Sequence, residues 1–280
     1  VHTVLTGEDK GYYQDYGRIE DLEKIYRNYL YTGEYSQFWK KKRGSDAATA
    51  PGPSFVAAIQ THDQVGNRAR GDRLAQLVDF PYLKAAAGLL FMAPYIPMLF
   101  MGEEYGEKNP FLFFTDYQDP ELKKAVTKGR RKEFASFEWE NLPDPEDEAT
   151  FYASRLTPRE KWQPLQEQLF SYYRDLIALR REHPALKPEK KGTTVSVEAK
   201  TGLVEITRKG GGQTVTALAN LGSRTLAVPR QPGREIFNSE KPRYGGRMKM
   251  AFEFDLRLTA VKELSLLPGQ FLILQSAGAD

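Results

Sequence analysis

The chain reads as an α/β unit built on parallel strands and followed by an antiparallel β-sandwich, and three observations predict this. An apolar run at 55–59 breaks abruptly into Gln60, Thr61, His62 and Asp63, as a buried parallel strand does where it leaves a core. A second apolar run at 98–101 follows an intervening helical stretch and empties into Glu103, Glu104 and Tyr105, which completes a βαβ pattern. Beyond Pro184 the texture changes to short β-type runs punctuated by glycine and proline turns.

Taken in order, the chain opens at Val1, in the middle of a pattern, with residues 2–8 resembling a strand end and the loop after it. From this start the sequence is expected to be a piece of a longer protein. Between 18 and 30 the apolar residues Ile19, Leu22, Ile25, Tyr26, Tyr29 and Leu30 recur at spacings of three and four, predicting an amphipathic helix. A glycine- and proline-bearing stretch at 32–53 reads as a loop that delivers the chain to the first parallel strand. Helical patterns follow at 72–78 and 82–92, the second alanine-rich and ended by Pro94. Residues 116–161 are charged and proline-rich and read as a long surface excursion, in which the basic run 128–132 forms a solvated face.

Pro164 opens a helix whose stripe is Leu165, Leu169, Tyr172, Tyr173, Leu176 and Leu179. His183 stands at its C-terminal end, where the helix dipole favours a cation. The β-type runs beyond it lie at 193–197, 203–207, 214–219, 224–228, 235–237, 251–256 and 271–274. They carry no catalytic constellation and predict a compact sandwich that braces the preceding unit. The domain boundary therefore falls at 185/186.

Composition narrows the functional class. With 40% hydrophobic residues the chain can bury a sizeable core. A formal charge of +3, from 40 basic and 37 acidic residues, supplies no field that would select nucleic acid or an anionic membrane. The lack of cysteine removes disulfides and thiolate chemistry and fits a reducing cytoplasm. Three histidines, none in metal-ligand spacing, leave no metal site to predict, and no phosphate-cradling glycine loop points to a cofactor.

The chemistry concentrates at His62 and Asp63, which a strand's C-terminal end would present to a substrate. Gln64 and Asn67, flanking Gly66, add amides able to hydrogen-bond hydroxyls without bringing charge. Tyr12, Tyr13, Phe111, Phe113, Phe114 and Tyr117 offer rings that can stack on sugars, although a given ring is more often core.

The stretch FVAAIQTHDQVGNR, 55–68, resembles the fourth signature region of the α-amylase superfamily, with Thr61 where the superfamily usually has Asn. APYIPMLFMGEEYGE at 93–107, PFLFFTDY at 110–117 and HTVLTGEDKGYYQDYG at 2–17 are similar, more narrowly, to the maltooligosyltrehalose trehalohydrolase family. The resemblance runs from the first residue to about His183.

It implies the C-terminal part of a (β/α)8 TIM barrel, and a complete barrel typically takes ~250 residues. It also implies hydrolysis of the α-1,4 bond beside the terminal trehalose of maltooligosyltrehalose. In that family the nucleophilic Asp and the acid/base Glu stand on earlier strands, expected in a missing N-terminal portion, so the fragment alone should be inactive. Asp63 is then the transition-state stabiliser. His2, Thr3, Val4, Leu5 and Thr6 border the sugar cleft with His62, Gln64, Val65, Gly66 and Asn67. Glu103 and Glu104 become cleft-wall or loop-anchoring residues. Other α-glucan enzymes of the superfamily, such as branching enzymes or α-amylases, share related loops, and a non-catalytic carbohydrate-binding fragment is the reading from another class.

Overall fold

A computed structural model describes residues 1–28, 31–133, 143–229, 233–248 and 263–276. The organising pair is β3 (Val56–Ala57) and β4 (Ile96–Pro97), which run parallel with Val56 opposite Ile96. The second strand thus lies at 96–97 and not at the expected 98–101. Ile96 N–H donates to Phe55 O at 3.0 Å and Met98 N–H to Ala57 O at 2.8 Å. Pro97, between them, has no N–H to contribute and occupies the position where none is needed. Burial on both faces is also not met, because Val56, Ile96 and Met98 are 51%, 42% and 43% exposed.

Between the two strands lie α3 (His62–Gly66), α4 (Leu74–Leu77) and α5 (Phe80–Met92). Helix α5 is buried from Lys84 through Met92 without a polar face, because it is covered on one side by α8 (Pro164–Glu182) and on another by a β-sheet. Its C-terminal carbonyls are met by two buried arginines. Arg180 donates to Phe91 O and Ala93 O, and Arg208 donates to Met92 O at 2.7 Å. These bonds close the helix end and fix the chain where it enters β4. In α8 the stripe Leu169, Tyr172, Tyr173 and Leu176 is buried as its spacing predicts, but Leu165 is 51% exposed in the first turn. At the end of α8 His183 is a buried side chain whose Nδ1 accepts Ala185 N–H and so caps the 3-10 turn Pro184–Leu186, and burial lowers its pKa. Burial and this capping bond therefore work against the expected dipole-stabilised cation.

Three other stretches differ from expectation, and one agrees as far as it is described. Residues 2–6 form α1 (His2–Thr6), closed by Gly7 at φ 71°, a left-handed cap that glycine adopts without strain. Helix α2 (Asp21–Arg27) occupies the predicted amphipathic segment, and the expectation at residues 29–30 lies outside the described residues. The supposed loop at 32–53 contains a hairpin of β1 (Thr32–Ser36) and β2 (Lys41–Gly44). Its turn is held by Asp15, which accepts from Ser36 Oγ, Gln37 N–H and Tyr31 Oη, a tertiary contact that no local pattern announces. The excursion at 116–161 carries α6 (Pro120–Glu133) and α7 (Glu148–Ala153), and Asp147 caps α7 through Ala149 N–H.

Beyond α8, β5 (Thr193–Glu198), β6 (Leu203–Gly210), β7 (Gln213–Asn220), β9 (Arg234–Asn238) and β11 (Phe271–Ser276) make an antiparallel sheet in the order β5-β6-β7-β11-β9. A second pair joins β8 (Leu226–Pro229) to β10 (Glu263–Leu266). Period-two alternation divides the two faces. Val215, Ala217, Ala219, Phe271 and Ile273 join the core shared with α5 and α8, while Leu218, Leu272 and Leu274 pack on Val228 and Leu266 of the second pair. Strand β10 was not expected from sequence, and the expected run at 251–256 lies outside the described residues. Among the described residues no helix is long and apolar enough to cross a membrane.

Candidate active-site face

Because β3 and β4 are parallel, the segments that follow them leave from the same edge. After β3 the chain turns into α3, whose N-cap is Thr61: its Oγ1 accepts Gln64 N–H at 3.3 Å. The threonine thus serves as a helix cap at the position where the resembled motif has Asn. His62 and Asp63 stand in the first turn, 73% and 79% exposed, with His62 Nε2 at 3.2 Å from Asp63 Oδ1. Val65 and Gly66 are buried, and a Cβ on Gly66 would sit 3.5 Å from the Phe111 ring. These two residues hold the short helix down and leave His62 and Asp63 facing outward.

Beneath this surface lies a polar layer. The Gln60 side chain is buried, and its Oε1 accepts Leu74 N–H at 2.7 Å. It also hydrogen-bonds the buried Glu103, which accepts from Tyr173 Oη at 3.3 Å and Phe100 N–H at 3.4 Å. Burial pushes the Glu103 carboxyl up to about 8, because these donors only partly replace lost water. Arg73, also buried, donates to Met101 O and Asn109 O, both at 2.7 Å. Glu107 accepts from Tyr105 Oη, the N–H groups of Lys108, Asn109 and Thr157, and Thr157 Oγ1. Glu103 and Glu107 therefore anchor the loop after β4. Glu107 escaped the sequence reading, although its place at the end of GEEYGE was visible.

The opening segment reaches the same region through one carboxylate. His2 Nε2 lies 2.8 Å from Glu8 Oε2, and the His2 ring stacks on Tyr13 at 5.0 Å. Arg68, just past α3, donates to both Glu8 oxygens at 2.8 and 2.7 Å. Burial alone would raise the Glu8 pKa, but hydrogen bonds from His2 and Arg68 outweigh it and hold the carboxyl at about 2. His2, Thr3, Val4 and Gln64 line a cavity of about 340 Å³ together with Tyr13, Tyr26 and Ala57. Leu5, Thr6, His62, Asp63, Val65, Gly66 and Asn67 do not line it. Arg68 and Glu8, which bind His2 to the loop after β3, were missed because ion pairing across the fold has no local signature.

In the basic run of α6 Lys128, Arg131 and Lys132 are exposed as expected, and Arg130 is the exception. Arg130 donates to Asn67 Oδ1 at 2.8 Å and to Gly66 O, and its guanidinium lies 4.3 Å from the Phe113 ring centroid. It is packed on the loop after α3 and does not belong to a solvated face. Among the aromatic candidates Tyr13 is buried, Phe111 packs edge-on against Phe100, and Phe113, Phe114 and Tyr117 are 40%, 37% and 39% exposed. Chemically, the exposed His62 and Asp63 can bind and polarise hydroxyls, while the buried layer keeps their backbone in place.

A family model described as a domain of unknown function (DUF3459) matches residues 190–258. The chain is 45% identical over 184 residues to a malto-oligosyltrehalose trehalohydrolase of Saccharolobus solfataricus, covering 65% of this chain and 31% of that protein. It is 36% identical over 269 residues to a protein of the same name from Mycobacterium tuberculosis, covering 94% and 46%. A crystal structure described as a putative alpha amylase from Salmonella typhimurium superposes with a TM-score of 0.81 at 32% identity, covering 98% of this chain and 44% of that one. The matches thus span from 31% to 46% of the length of these relatives. With the HD edge, the anchored GEEYGE loop and these identities together, the chain is similar to the C-terminal part of proteins named malto-oligosyltrehalose trehalohydrolase.

Proposed function

We propose that the parent protein is a cytoplasmic glycoside hydrolase that cleaves the α-1,4-glucosidic bond next to the terminal trehalose unit of maltooligosyltrehalose and releases trehalose. In this reading residues 1–185 are the C-terminal part of its catalytic (β/α)8 barrel, and residues 186–280 are a β-sandwich domain that braces it. The observation that carries the proposal is the His62–Asp63 pair, exposed on the edge shared with the anchored loop after β4, in a chain so close to named trehalohydrolases.

Retaining hydrolysis needs a nucleophile and a separate proton donor at fixed spacing. Asp63 is assigned to neither role. Its carboxylate stabilises the positive charge that develops at the anomeric carbon and binds sugar hydroxyls, with His62 beside it. The nucleophile and the acid/base come from the N-terminal portion of the parent. Glu103 is unsuited to either role, since its carboxyl is buried and occupied by Gln60, Tyr173 and Phe100.

Chromatographic product analysis tests the reading. The parent protein should release trehalose from maltooligosyltrehalose faster than it cleaves plain maltooligosaccharide, whereas residues 1–280 alone should release none. Preferential cleavage or branching of maltooligosaccharide would transfer the chain to another α-glucan activity. Trehalose release by residues 1–280 alone would show that the catalytic pair lies within them.

A further inference from the structure

Asn67 ends α3, four positions beyond Asp63, and its amide can face a ligand with either its oxygen or its nitrogen. The neighbour that decides is Arg130 of α6. A guanidinium carries five N–H donors and no acceptor, so the Asn67 atom 2.8 Å from Arg130 Nη1 has to be the amide oxygen, whichever way the group is drawn. A second guanidinium nitrogen is bonded to Gly66 O, and the guanidinium lies over the Phe113 ring. Two acceptors on consecutive residues and one ring from a second segment define its position, and a lysine cannot reproduce such a fork. No partner for Asn67 Nδ2 stands among the described residues, and the side chain is half-buried.

We infer that Arg130 is a positioning residue that fixes the Asn67 amide with its oxygen turned to the guanidinium and its two N–H groups turned away from it, so that Asn67 recognises an acceptor oxygen on the sugar through its N–H groups. The inference rests on the proposed glucan-binding reading of this face. It gives α6 a part in substrate recognition that its charged, loop-like sequence did not suggest.

The decisive variant is Asn67→Asp in the parent protein. The introduced carboxylate keeps the contact with Arg130, now as an ion pair, so the thermal midpoint should hold within about 2 °C. It has no N–H to offer the sugar, so KM for maltooligosyltrehalose should rise about tenfold, the scale of one lost hydrogen bond, with kcat changed less than threefold. Arg130→Gln should raise KM about threefold by releasing the amide to rotate. A normal KM in Asn67→Asp overturns the inference. Should that variant fail to fold, a normal KM in Arg130→Gln overturns it instead.

Calorimetric binding of maltotetraose, run in parallel, separates this inference from the proposed reaction. A wild type that binds but does not hydrolyse refutes the reaction alone, and equal affinity of wild type and Asn67→Asp then refutes the amide assignment. A wild type that binds no glucan refutes both.

Discussion

Asp63 is available because its neighbours are not: Val65 and Gly66 are buried, Thr61 caps the helix, and the aspartate is left 79% exposed. Substitution at such a position costs the fold little, usually within ~0.5 kcal/mol. Asp63→Asn in the parent protein should therefore lower kcat by the ~10²–10³ typical of losing one electrostatic stabiliser, at an unchanged thermal midpoint. Steady-state kinetics beside a thermal melt check both halves of that statement. Glu103 presents the opposite case, a buried carboxyl with its pKa raised from 4.5 to about 8. The folded state then holds a proton that the unfolded state gives up, so this group's contribution is complete below pH 4.5 and is lost as pH rises towards 8. Glu103→Gln keeps the shape and cannot ionise. Melts of the two proteins should show the wild type losing more stability than the variant between pH 5 and pH 8, and parallel pH profiles would refute the assignment.

At the scale of elements, α5 and β11 meet closely enough that one residue sets the spacing. A Cβ on Gly88 would lie 2.5 Å from the Phe271 ring, and that ring is fully buried against the helix. Helix propensity by itself favours alanine over glycine by ~1 kcal/mol. Overpacking at this contact should reverse the sign, so Gly88→Ala is expected to destabilise by about 1–3 kcal/mol in a denaturant titration. Legibility from sequence also divides by element. Helix α8 and strands β5, β6, β7 and β11 were readable because each buries a face whose period matches its own geometry. The β1–β2 hairpin and α6 were not, because the first is pinned by Asp15 across the fold and the second packs Arg130 on a loop far away in sequence. The strand at 96–97 was misplaced for a related reason: its two ladder bonds come from Ile96 and Met98, and the hydrophobic run gives no sign of that register.

For the whole molecule, the main fact is that the helical layer and the five-stranded sheet share one core. Lys84 of α5 reinforces this junction, donating to Ser239 O at 2.6 Å and to Tyr244 O at 3.2 Å while fully buried. Burial lowers its pKa to about 8, partly offset by Glu240. Residues on either side of the proposed boundary at 185/186 should therefore unfold together. Calorimetry of residues 1–280 is expected to give a single transition, and Lys84→Ala, which leaves two buried carbonyls without their donor, should lower its midpoint. Two resolved transitions would show that the shared core does not couple the parts.

The sequence by itself determined the local and periodic features: the α/β unit followed by β-strands, the turn from β3 into His62 and Asp63, the long α8, and the family resemblance carried by contiguous motifs. Those follow from propensity, alternation and short-range capping, all of which act between near neighbours. Only the tertiary structure decided which charged groups are buried and what they hold. Glu103 under Gln60, Glu107 across the loop to Thr157, His2 joined to Arg68 through Glu8, and Arg130 on Asn67 each depend on distant segments meeting in space. A buried polar group persists where partners from elsewhere in the chain replace the water it loses, and the sequence around that group does not name them.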